Sequence, residues 1–210
     1  MGQGSYVICE FDSIQKEYPD FASALRKLES DLLTKCAADW GSLAQPKGFG
    51  KLTPGKNQFG RTTTLPALFN DHNGVQMVTW RQLFTTAGHQ TIMTGTRAGN
   101  LLPEDFKVGI IGFMFPNKNQ HLTEIKWQKG NEKFGRINLE EIHGMNKPAV
   151  ILEEGFIIDE EESFELYGFI EGDIPVHIGN YTGVHQRIIP LGFTGFNKID
   201  YVLGNCGAAI

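Results

Sequence analysis

From about Gly74 onward the sequence is one short strand-like run after another, with turn residues between them and no long helical pattern in the way. Parallel strands need long crossovers, usually helices, so a chain built this way is expected to fold as antiparallel sheet. The expected strands are Val75–Trp80, Gln90–Thr96, Lys107–Phe115, His121–Gln128, Phe134–Asn138, Ala149–Ile158, Ser163–Glu171 and Val184–Phe193, the last running on toward Val202. Turn signals separate them at Arg97–Asn100, Pro116–Asn119, Lys129–Asn131, Asp159–Glu162 and Gly172–Asp173. A short helical turn is expected at Leu139–His143.

The side-chain pattern along these strands says how they are buried. Ile125 and Trp127 share one face, with Lys126 and Gln128 on the other. Phe164 and Leu166 likewise face away from Glu165 and Tyr167. Val108–Phe115 and Ala149–Leu152 are instead apolar on both sides, so a second layer must cover their outer face. About eight strands with polar turns imply a mainly β fold, an antiparallel β-sandwich or jelly roll, for residues 74–210. The 25 glycines and 15 phenylalanines agree, because glycine suits turns and phenylalanine packs well on pleated surfaces.

Two segments precede the strands. Residues 1–40 contain an amphipathic helix, with Asp20 after Pro19 as its cap. Phe21, Leu25, Leu28, Leu32, Cys36 and Trp40 recur at steps of three and four, which puts them on one face. Arg26, Lys27, Glu29, Asp31 and Lys35 occupy the other. The apolar stripe is expected to dock on the chain's own sheet, the alternative being a neighbouring subunit. Residues 41–73 read as a glycine-rich, basic, extended arm. Lys47, Lys51, Lys56 and Arg61 lie there, and no acid occurs from Gly41 to Asn70. Such an arm suits phosphate or an acidic neighbour, and a solvated loop is its plainer reading.

The motifs that carry chemistry fail on inspection. Gly50–Asn57 has the spacing of a phosphate loop but ends in Asn57 where magnesium needs a hydroxyl, and Pro54 removes an amide from the cradle. Glu153–Asp173 is rich in acids, with no Lys or Arg from Pro148 to Gln186. It lacks the alternating spacing of a calcium loop, and adjacent carboxylates on a strand diverge, so a solvated acidic turn is expected. The six histidines form no HxH or HExxH, and no GxSxG occurs. Cys9, Cys36 and Cys206 are far apart and are read as free thiols. No cofactor, metal or catalytic residue is therefore expected, and the chain is read as not an enzyme.

The formal charge of −5 argues against a protein devoted to nucleic acid. The N-terminus has no signal-peptide pattern, and Tyr6 stands where a myristoylation motif wants Ser or Thr. Asn180-Tyr181-Thr182 fits a glycan sequon, but no secretion signal goes with it. No apolar run reaches membrane-spanning length. An intracellular or virion location is expected.

The Phe21–Trp40 helix, the Gly41–Asn73 arm and runs such as KVGIIGFMFPNK, AVILEEGFII and RIIPLGFTGF together resemble the organisation of single jelly-roll viral capsid proteins. The resemblance implies work by self-association, in which helices and arms exchange between copies and the β body tiles a surface. Its partners would be copies of itself and other virion proteins, in a capsid, tail or decoration role. The basic N-terminus of many genome-holding capsid proteins is missing here. Candidate assembly residues are Phe21, Leu25, Leu28, Leu32, Trp40, Lys47, Lys51, Lys56 and Arg61. The rival expectation is a carbohydrate-binding or hydrolytic β-sandwich. It would use Trp80, Trp127, Tyr167 and Tyr181 as an aromatic platform, with Glu153, Glu165 or Glu171 as acid and base.

Overall fold

A computed structural model describes residues 6–9, 19–44, 58–116, 121–140, 149–172 and 183–197. In chain order the elements are β1 (Tyr6–Cys9), α1 (Pro19–Trp40), β2 (Ser42–Leu43), β3 (Gln58–Thr63), β4 (Phe69–Asn70), β5 (Arg81–Phe84), β6 (Gly88–Gly95) and β7 (Phe106–Met114). Then follow β8 (Leu122–Lys129), β9 (Glu132–Lys133), β10 (Ile137–Asn138), β11 (Ala149–Ile158), β12 (Phe164–Ile170), β13 (Val184–Arg187) and β14 (Ile189–Phe196). A 3-10 turn at Pro66–Leu68 leads into β4.

One sheet runs β1-β11-β7-β14-β3-β2, a second runs β10-β8-β12-β6-β4, and β13 pairs β5 in a small separate ribbon. All pairings are antiparallel except the two-residue contact of β2 with β3. The main strands β3, β6, β7, β8, β10, β11, β12 and β14 can be numbered one to eight. The first sheet then holds them as 1-8-3-6 and the second as 2-7-4-5. That interleaving is the strand order of a jelly roll, in which neighbours in space are distant in sequence. Inward residues of both sheets form one core. It includes Val108, Ile110 and Phe113 of β7, Val150 and Ile158 of β11, and Ile92, Ile125, Phe164 and Leu166 of the second sheet.

β11 matches its expected bounds, and β6, β7, β8 and β12 fall within a residue or two of theirs. Four expectations are corrected. Val75–Trp80 is not a strand, and the strand nearby is β5 at Arg81–Phe84. The expected Val184–Phe193 strand is split at Ile188, so that β13 joins β5 while β14 enters the centre of the first sheet. Phe134–Asn138 shrinks to the two-residue β10. The arm drawn over 41–73 is strand from Gln58, because β3 pairs with β14 from Gly60 to Thr63. The sandwich therefore begins at residue 58, and β1 adds a further strand from the N-terminal segment. The expected helical turn at Leu139–His143 lies mostly outside the described residues.

The second layer over β7 is α1. β7 is buried along nearly its whole length because Phe106, Val108, Ile110 and Phe113 point into the sandwich, whereas Lys107, Gly109 and Ile111 lie under the helix. β7 carries an extra residue between its Gly112 and Ile110 pairings with β14. This bulge lets both Ile111 and Met114 meet the helix side while Phe113 returns to the interior.

Candidate functional site

The densest meeting of charge, apolar surface and unusual side chains is the seam between α1 and the first sheet. Leu28 packs on Ile111, Ala149 and Ile151, flanked by Phe21, Ala24 and Leu25. One and two turns on, Leu32 and Cys36 join Trp40 and Phe59, with the Trp40 and Phe59 rings 6.3 Å apart. The stripe thus docks on the chain's own sheet. Two glycines let it sit close. A Cβ on Gly109 would come within 3.3 Å of Leu28, and one on Gly195 would lie 2.4 Å from the Cys36 sulfur. A side chain at Gly195 forces the Cys36 sulfur, or the helix that carries it, to shift.

The C-terminal end of the seam is ionic. Lys107 rises from β7 with its side chain only 3% exposed. Its Nζ lies 2.8 Å from Asp39 Oδ2, 3.2 Å from Asp159 Oδ1 and 3.7 Å from Glu160 Oε1. It also sits 5.1 Å from the centre of the Trp40 ring, at cation–π range. Lys35 Nζ donates to the other Asp159 oxygen at 2.6 Å, so Asp159 bridges helix and sheet lysines. The last turn of α1 has no basic residue of its own. The Lys107 ammonium, held against Asp39 and Trp40, brings positive charge from the sheet to that turn, where the helix dipole favours it.

Burial alone pulls the Lys107 pKa down, but hydrogen bonds to Asp39 and Asp159 outweigh it and the net shift is upward. For Asp159 burial pushes up, and hydrogen bonds from Lys35 and Lys107 reverse this, leaving it below the ordinary 3.8. The Cys36 thiol is pushed up to about 12, chiefly by burial, with Lys107 opposing and Asp159, Asp39 and Glu160 adding. A lysine nucleophile needs a neutral amine, and a cysteine nucleophile needs a thiolate. Both shifts run against nucleophilic use of these groups, and their contacts tie the helix to the sheet.

Of the candidate assembly residues, Phe21, Leu25, Leu28, Leu32 and Trp40 are therefore used inside the subunit. Arg61 lies on β3, pairs with Glu29 of the helix and stands 5.1 Å from the Phe193 ring. Lys47, Lys51 and Lys56 lie outside the described residues. The acidic turn 159–162 is not simply solvated, because Asp159 and Glu160 face Lys107 and Glu162 lies 3.6 Å from Lys129. Sequence reasoning missed this cluster. Its one legible signal was Lys107, a lone charge opening an otherwise apolar strand.

The residues of the rival site are scattered. Trp127 is interior, clustered with Phe134 and Phe156, and Trp80 packs half-buried against the core. Tyr167 is on the outer side of the second sheet, 5.7 Å from Lys126 Nζ, with Phe169 two residues along the same strand. Glu165 shares that strand and accepts a hydrogen bond from Asn100. Glu153 is exposed where β11 bulges away from β7, on the other sheet, and Glu171 is exposed just after β12. Tyr181 lies outside the described residues. A cleft of about 670 Å³ between α1 and that bulge has Leu28, Phe156 and Ile157 in its wall, together with Lys27, Asp31, Lys129 and Glu153. Its charges are of both signs, which selects no single ligand class.

Comparison of the chain with protein-family models, curated proteins and solved structures finds no match.

Proposed function

We propose that this chain is a structural, self-assembling protein, a capsid subunit or another virion component, that works through repeated contacts between copies. The observation that carries the reading is the strand order 1-8-3-6 against 2-7-4-5, with a helix covering, among the described residues, the outer face of one sheet only. A sandwich braced this way is a rigid block with one sheet face, its loops and its edges left for neighbours. Because the helix stripe is internal, contacts between copies fall on those surfaces. Electron microscopy and light scattering of the purified chain test the reading. Particles, tubes or sheets are expected at high concentration, and a monomer under every condition refutes it.

A second reading has one observation in its favour. Tyr167 and Phe169 stand half-buried on the outer face of the second sheet, with Lys126 and Glu165 beside them, and jelly rolls also serve as lectins. Aromatic side chains flanked by polar groups suit a sugar ring. Binding on a glycan array, lost in Tyr167→Ala, supports this alternative. An array without hits removes it.

A further inference from the structure

β5 and β13 form a ribbon apart from the two main sheets, and its two faces differ. One face is interior. Gln82 stands opposite Gln186, and Phe84 opposite Val184, and all four are buried. Gln82 Oε1 accepts from the His72 amide at 3.3 Å, and Gln82 Nε2 donates to the Met77 sulfur at 3.4 Å. The ribbon is thereby anchored. On its other face Arg81 and Arg187 stand directly opposite each other, both exposed. The next pair on that face is Leu83 with the exposed His185.

Directly opposed residues of an antiparallel pair have Cβ atoms roughly 4.5–5.5 Å apart, and like charges so placed destabilise the pairing. The surrounding sequence does not offset the charge. No Asp or Glu occurs from His72 to Pro103 or from Ile174 to Ile199, the two stretches that contain the ribbon. Arg61, Arg97 and Arg136 each face a glutamate, whereas Arg81 and Arg187 have no ion-pair partner among the described residues. In a chain of net charge −5 this is a local reversal of sign, held on a fixed backbone.

We propose that Arg81 and Arg187 form a binding site for a phosphate dianion, free or at the end of a larger ligand, held between the two guanidiniums. A guanidinium is a planar fork that takes oxyanions through two parallel hydrogen bonds. A carboxylate carries a single negative charge, and one fork satisfies it. A phosphate monoester carries about −1.5 to −2 near neutral pH and three acceptor oxygens, which matches both forks and cancels the repulsion between them. The site lies away from the helix seam and does not depend on the assembly reading.

The test uses the full chain at constant ionic strength. Inorganic phosphate, acetate and a short single-stranded oligonucleotide without a terminal phosphate are each titrated into wild type, Arg81→Gln and Arg187→Gln. The readouts are the amide NMR shifts of the ribbon and the melting temperature. Phosphate is expected to shift the wild-type ribbon amides saturably and to raise the melting temperature. Each variant is expected to bind phosphate at least tenfold more weakly, and wild type to bind acetate at least tenfold more weakly than phosphate. Before any phosphate is added, each variant should melt no lower than wild type, because losing one charge relieves the repulsion. No phosphate response in wild type, equal binding by the variants, or acetate binding as tight as phosphate overturns the inference. An oligonucleotide that binds where phosphate does not would assign the pair to a phosphodiester backbone and overturn the dianion. Variants that melt well below wild type without phosphate would assign both arginines to the fold and overturn it too.

Discussion

At the scale of single residues, the seam under α1 depends on what is absent at Gly195 and on what is present at Lys107. A methyl at Gly195 would overlap the Cys36 sulfur. Gly195→Ala is expected to cost roughly 1–3 kcal/mol by overpacking. Most of that loss should return in the double variant with Cys36→Ala, as a double-mutant cycle by chemical denaturation will read. The Lys107 cluster predicts an asymmetry. Asp39 and Asp159 are partly exposed and rehydrate if the lysine leaves, whereas a buried ammonium without them does not. Asp39→Asn with Asp159→Asn is expected to lose on the order of 2 kcal/mol, below the figure for a fully buried pair because both acids are half in water. Lys107→Met is expected to lose less.

The pH dependence follows from the same groups. Asp159 is held below its ordinary 3.8, so its contribution is present above that pH and disappears as pH falls through the lowered folded value. Lys107 is held above its ordinary 10.5, so its contribution is complete below that pH and disappears as pH rises through the raised folded value. Between those limits the seam is expected to contribute a flat plateau to stability. Denaturation midpoints measured across pH will show its two shoulders; in Lys107→Met the alkaline one should vanish, while the acid one should shrink and persist through Lys35.

At the scale of elements, the helix is the piece whose docking can be followed directly. Leu32 is fully buried at the centre of the seam, and Leu32→Ala is expected to cost about 2–5 kcal/mol. Cys36 beneath it is a reporter. Buried and with its thiol pushed up to about 12, it should resist maleimide in the native state and react as the helix lifts. Labelling of Cys36 in a Cys9→Ser, Cys206→Ser background is expected to be faster in Leu32→Ala than in wild type. Labelling at the same rate would mean that the helix does not hold the thiol shut. The stripe itself was legible from its steps of three and four, and so was the need for a layer over β7. What the period could not say is that these two unmet needs satisfy each other. β3 was missed because Gln58–Thr63 sits among glycines and prolines and has little apolar alternation; it is a strand because β14 pairs with it.

At the scale of the whole molecule, strand order makes the ends of the chain interdependent. β14, nearly the last described segment, lies between β7 and β3 in the middle of the first sheet. Truncation at residue 188 therefore removes a central strand and should abolish the fold, as circular dichroism and loss of a cooperative melt will show. A truncated chain that still melts cooperatively would contradict the central placement of β14. The proposed assembly belongs to this scale too, since its contact surfaces are whatever the sandwich and its helix leave uncovered.

The amino-acid sequence by itself determined the local choices: antiparallel strands from alternation and turn residues, and one helix with a single apolar face. Doubly apolar β7 and β11 also announced a buried central sheet. These properties are set by neighbours a few residues apart. Only the tertiary structure decided that β14 divides β3 from β7, that the helix stripe closes on its own sheet, and that Lys107 meets Asp39 and Asp159. Each of those joins residues tens to more than a hundred positions apart. Which distant partners meet depends on how all the strands pack at once, and no local pattern carries that information.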